Sequence, residues 1–188
     1  MRFQNLLPLG LPMVLAGSPA AMKRAPTGPF NLYAYGDGIG GAPVFTSGDV
    51  AYLGNKSELN DAEASPVLFT VGASNTLYGS PNVTDEETTP SWSNVTFYVP
   101  GPASSSHTVG FTNSTPETNV SASGFIFYGQ FALHENADGN LETLWYATPT
   151  EYDGVWSLDW NTTDDESEEA VLVTLKSTAP SKPLLDKE

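Results

Sequence analysis

Apolar side chains in this chain recur at every second position, and that period limits what it can fold into. Val95, Phe97 and Val99 alternate with Thr96 and Tyr98, and Trp156, Leu158 and Trp160 alternate in the same way, as do Val171, Val173 and Leu175. A strand turns successive side chains to opposite faces, so this is the signature of half-buried strands. The runs are also rich in the aromatic and β-branched residues that suit a pleated surface. No stretch has the apolar spacing and length of an amphipathic helix, although 57–64 suits a short one. Candidate strands cover 30–35, 44–46, 50–53, 67–71, 92–99, 108–112, 124–134, 141–147, 155–160 and 170–178. Turn signals separate them: Ser47-Gly48-Asp49, Gly101-Pro102 and Asp138-Gly139-Asn140. Segment 124–147 reads as the clearest hairpin, two apolar runs joined by 135–140. About ten short strands with frequent turns predict an all-β fold, an antiparallel β-sandwich or jelly roll.

Composition narrows the function. A chain of 188 residues supports one domain, placed at 25–179 with a flexible tail over 180–188. Seven Lys and Arg face 22 Asp and Glu, a formal charge of −15. Nucleic acids and anionic membranes are polyanionic and are repelled by such a chain, so neither is expected as a partner. The absence of cysteine excludes disulfides, thiolate metal sites and cysteine nucleophiles.

Residues 1–20 read as a signal peptide. Arg2 forms the positive region, 6–16 form a short apolar core, and Ser18-Pro19-Ala20 offers small residues for cleavage. Lys23-Arg24 then suits dibasic processing of a leader over 21–24. Asn-x-Ser/Thr sequons at Asn55, Asn82, Asn94, Asn113, Asn119 and Asn161 make six of the twelve asparagines candidate glycan acceptors. Removal of 1–24 leaves four lysines, no arginine and all 22 acids, a formal charge of −18. Without arginine the chain lacks the usual fork for anionic ligands, which leaves neutral glycans or a basic protein surface as partners. Self-repulsion of these acids predicts higher stability at mildly acidic pH.

Motifs that carry chemistry elsewhere read structurally here. Gly36-Asp37-Gly38-Ile39-Gly40-Gly41 fits a dinucleotide fingerprint literally, but Pro43 and a second strand follow where a helix is needed. It reads as a tight bend. The two histidines, His107 and His134, are too few for an imidazole-rich metal centre, so no metal or cofactor is expected. His134 beside Glu135 at a strand end could act as a base but reads as an exposed turn residue, and no nucleophile elbow is present. Glu142, Glu151, Asp153 and Asp159 could supply the two carboxylates of a glycosidase. Asn136-x-Asp138-x-Asn140-x-Glu142 offers oxygen donors for calcium but lacks the EF-hand order, and reads as a hairpin turn. The run 164–169 reads as a solvated acidic loop. Trp145, Trp156 and Trp160 lie in neighbouring strands, where exposed rings would stack on sugars and buried ones would build the core.

Four stretches carry a resemblance. They are Phe30-Asn31-Leu32-Tyr33-Ala34-Tyr35-Gly36-Asp37-Gly38-Ile39-Gly40-Gly41, Ser91–Pro100, Gly154–Asn161 and Val173–Ser181. Together they resemble a family of small secreted ascomycete proteins along nearly all of the chain past the leader. The resemblance implies fungal origin and secretion, and carries no catalytic or binding role onto any residue. The expected protein is a secreted, N-glycosylated, non-enzymatic β-domain acting at the cell wall, cell surface or host interface. The alternative is a carbohydrate-binding or carbohydrate-active protein using Trp145, Trp156 or Trp160.

Overall fold

A computed structural model describes residues 25–83, 89–161 and 169–181. The leader over 1–24, the acidic run over 164–168 and the tail from 182 lie outside the described residues. Among those described, the chain is all-β, with two short 3₁₀ turns at Lys56–Leu59 and Ala73–Asn75. No helix in them is long and apolar enough to cross a membrane.

Fourteen strands form: β1 Tyr33–Gly36, β2 Ile39–Thr46, β3 Tyr52–Gly54, β4 Ser65–Val71, β5 Leu77–Pro81, β6 Val95–Pro100 and β7 Gly110–Thr112. They continue with β8 Val120–Ser121, β9 Phe125–Tyr128, β10 Phe131–Glu135, β11 Leu141–Glu142, β12 Trp145–Pro149, β13 Val155–Trp160 and β14 Val171–Lys176. Six of them close into a ring, β1–β2–β3–β13–β12–β14 and back to β1, every pairing antiparallel. This barrel and its eight further strands stand where about ten strands of a sandwich or jelly roll are expected.

The barrel interior explains the alternation. Ala34, Ala42, Val44, Leu53, Trp145, Ala147, Leu158 and Leu175 are all nearly inaccessible and point inward. A six-stranded barrel is narrower than the eight-stranded kind whose lumen side chains just fill. Alanines at Ala34, Ala42 and Ala147 therefore make room for the indole of Trp145. That ring also stacks on Phe97 of β6 at 6.3 Å, so the barrel and the flanking sheet β4–β5–β6–β7 share one core. Phe30, Phe69, Phe97, Phe111, Phe125 and Phe127 continue that core in edge-on and tilted contacts at 5.2–6.0 Å.

Two expected strands break. The run 124–134 turns on Gly129-Gln130, with Gly129 at φ 62°, and folds back as the β9–β10 hairpin. The run 141–147 also divides: β11 pairs with β10, while β12 leaves to pair with β13 and β14. Burying Trp145 inside the barrel requires that departure. The glycine-rich bend is the β1–β2 hairpin, with Gly38 at φ 69°. A Cβ on Gly36 would sit 2.8 Å from the Leu172 carbonyl oxygen, so the close approach of β14 demands glycine there.

Candidate functional site

The chemistry-bearing residues gather at one end of β8, β10 and β13, around a cavity of about 500 Å³. Its lining includes Ser121, His134, His107, Glu142, Trp160 and Asn161. His134 lies on β10 opposite Phe125 of β9 and Glu142 of β11. Its ring meets Phe125 edge-on at 5.4 Å and Trp160 edge-on at 5.5 Å. Only 5% of it is exposed, which corrects the expectation of an exposed turn histidine. The period of two accounts for this, since His134 shares its phase with the buried Ala132.

His134 Nε2 lies 2.8 Å from Ser121 Oγ, while its Nδ1 is buried with no hydrogen-bond partner. Burial pushes the imidazole below its ordinary value, and the Ser123 backbone, Glu142 and Glu135 pull the other way. His107 Nδ1 lies 3.0 Å from the Trp160 carbonyl oxygen. The Asn136 side chain organises the adjoining turn. Its Oδ1 accepts from the Asp138 and Asn140 amides at 3.0 Å each, and its Nδ2 donates to Glu142 Oε1 at 2.6 Å. These oxygens are spent on a hairpin turn, as the sequence suggests, and no group of three or more His, Asp or Glu among the described residues is placed to hold a metal.

The other expected site residues are dispersed. Trp145 is fully buried, with Nε1 donating to the Ala132 carbonyl at 3.0 Å, and Trp160 is 6% exposed. Neither offers an open ring face. Trp156 is half-buried against the same core. Of the four candidate glycosidase carboxylates only Glu142 reaches a described cavity; Glu151 and Asp153 are exposed in the β12–β13 turn, and Asp159 is buried and accepts from Ser157 Oγ at 3.0 Å. Asn55, Asn94, Asn113, Asn119 and Asn161 are exposed and Asn82 is half-buried. All six lie outside the strands.

A second surface escapes sequence reasoning. Tyr128 and Phe131 pair across the β9–β10 turn, Phe131 pairs with Lys176, Lys176 with Tyr33, and Tyr33 with Pro43. Directly opposed residues in antiparallel ladders share a face, so these side chains form one row across five strands. Tyr128 is 48% and Phe131 44% exposed. The Lys176 ammonium sits 4.6 Å from the Tyr35 ring centre and 5.1 Å from that of Phe131. Burial raises the phenols of Tyr33 and Tyr35 above their ordinary value, so both stay neutral. At the Tyr33 end the row opens into a cavity of about 440 Å³ lined also by Pro43, Lys56 and Pro180. Lys56 and Lys176 are the two lysines among the described residues, and both belong to this side of an acidic protein. The alternation of 170–178 already put Lys176 opposite in phase to Val173 and Leu175. What sequence lacked was the strand order that sets it between Tyr35 and Phe131.

Fold and site together define an all-β barrel protein with a histidine-lined cavity at one end and an exposed aromatic row on one face. No protein-family model, curated protein or solved structure matches the chain.

Proposed function

We propose that this is a secreted, N-glycosylated fungal protein that acts at the cell wall, cell surface or host interface by holding a neutral glycan on its aromatic row. The observation that carries the reading is the register Tyr128–Phe131–Lys176–Tyr33, which sets aromatic rings and a lysine side by side on an open face. Sugar faces are apolar and pack on aromatic rings, while their hydroxyls take hydrogen bonds from phenols and an ammonium. The signal-like leader and the exposed sequon asparagines support secretion. The net acidity favours an uncharged polymer over an anionic one. This row replaces Trp145 and Trp160 in the carbohydrate-binding reading, because their rings are enclosed.

The test is co-sedimentation with insoluble chitin, β-glucan and mannan. Wild-type protein is expected to pellet with one of them, and the folded Tyr128→Ala/Phe131→Ala variant to stay in solution. Equal pelleting of both proteins, or none of either, overturns the proposal.

A further inference from the structure

We propose that Ser121 is a nucleophile activated by His134, and that the pair hydrolyses small uncharged esters admitted to the cavity between β8, β10 and β13. This activity goes beyond glycan holding and does not depend on the aromatic row. The 2.8 Å contact between Ser121 Oγ and His134 Nε2 is within the reach a nucleophile and its base require. Both residues line the cavity of about 500 Å³; Ser121 is half-buried, while the imidazole behind it is almost dry.

Their positions are held from several sides. Ser121 pairs with Val99 of β6 and lies beside Val120, which pairs with Pro100. His134 sits between β9 and β11, with its ring wedged between Phe125 and Trp160. Supported rotamers of this kind cost little to hold in a reactive geometry. Burial keeps the imidazole in its neutral, basic form near pH 7. Glu142 and Glu135 are the acids facing it, and Glu142 Oε1 is occupied by Asn136. Glu142 and Asp138 make the cavity wall acidic, which disfavours an anionic ester. No carboxylate accepts from Nδ1, so the pair lacks the orienting acid of a full triad.

The steps balance without a co-reactant. Ser121 Oγ bonds to the ester carbonyl carbon as its proton passes to His134 Nε2. The tetrahedral adduct then expels the alcohol oxygen, which takes that proton. Water attacks the acyl-serine, gives a proton to Nε2, and the carboxylic acid departs as Nε2 returns the proton to Oγ. The sum is ester plus water to acid plus alcohol.

Ser121 also completes the sequon Asn119-Val120-Ser121, so replacing it removes a hydroxyl and a glycan acceptor together. The experiment separates the two. Full-length secreted protein is treated with a fluorophosphonate, which releases fluoride as a serine oxygen bonds to phosphorus, and the labelled peptide is mapped after digestion at glutamate. Hydrolysis of p-nitrophenyl acetate is measured in parallel. Label on Ser121 is expected in wild type and Asn119→Gln, with loss in Ser121→Ala. Hydrolysis is expected to fall by about 10²-fold in Ser121→Ala and in His134→Gln. Absence of label on Ser121 overturns the proposal. So does labelling or hydrolysis undiminished in a folded His134→Gln variant, which would remove the base. Should Ser121→Ala fail to fold, the mapped label on wild type decides.

Discussion

Trp145 and Trp160 are direct cross-strand partners on β12 and β13, and their indoles meet edge to face with ring centres 4.5 Å apart. Edge-to-face packing of large rings contributes beyond the area it buries. Trp145 further stacks on Phe97 and bonds the Ala132 carbonyl, so it joins the barrel, the flanking sheet and β10. Trp145→Ala is expected to cost about 3–5 kcal/mol, as for other large aromatic truncations in closed cores. A urea titration followed by far-UV circular dichroism checks this. A loss below about 1 kcal/mol would contradict a filled barrel interior.

The β3–β13 seam makes a second prediction. Gly54 has φ 116°, and a Cβ there would lie 2.2 Å from the Gly154 carbonyl oxygen. Gly154 has φ 69° with open space around its Cβ direction. Gly154→Ala should therefore cost only the left-handed penalty of about 1–2 kcal/mol. Gly54→Ala must in addition push two strands apart, so its melting temperature should fall well below that of Gly154→Ala. Equal melting temperatures would refute the tight seam.

What sequence made legible follows from what is local. The period of two is a property of each strand: Val95, Phe97, Val99, Leu158, Trp160, Val173 and Leu175 in the alternating rows are buried, while Trp156 and Val171 in the same rows are half-buried. The alternation over 155–160 coincides with β13 at both ends. Barrel closure was not legible, because it depends on β14 bonding to both β1 and β12, residues far apart in the chain. Strands β5 and β8 carry no such signal for local reasons: Leu77–Pro81 contains Gly79, Ser80 and Pro81, and β8 is only two residues long. The Ser121–His134 contact was hidden for the same cause, since Ser121 read only as the hydroxyl of a sequon. Its visible signal was His134 falling in phase with buried neighbours on its strand.

The aromatic row should be functional surface rather than support. Tyr128 and Phe131 are about half exposed and stand outside the buried core. Exposed substitutions of this kind usually change stability by no more than about 0.5 kcal/mol. Tyr128→Ala and Phe131→Ala are therefore expected to melt within a few degrees of wild type. Lys176→Gln removes the ammonium between Tyr35 and Phe131, and should weaken glycan pelleting while leaving the melt in place. A large drop in melting temperature for Phe131→Ala would make the row part of the fold.

The response to acid has two opposing contributions, and His134 isolates one of them. Burial holds its folded-state value below the ordinary 6.5, while the unfolded chain keeps the ordinary value. As pH falls below about 6.5 the unfolded state binds a proton that the folded state resists, so stability is lost on acidification. Relief of self-repulsion among the 22 acids acts the other way, and belongs to the more acidic range in which carboxylates as a class gain protons. Between pH 7.5 and 5.5 the histidine is therefore expected to dominate. Melting temperatures across that window should fall for wild type and fall less for His134→Gln, which cannot take the proton. Identical slopes for the two proteins would show that His134 is not held neutral by its surroundings of Phe125, Trp160 and Ser121.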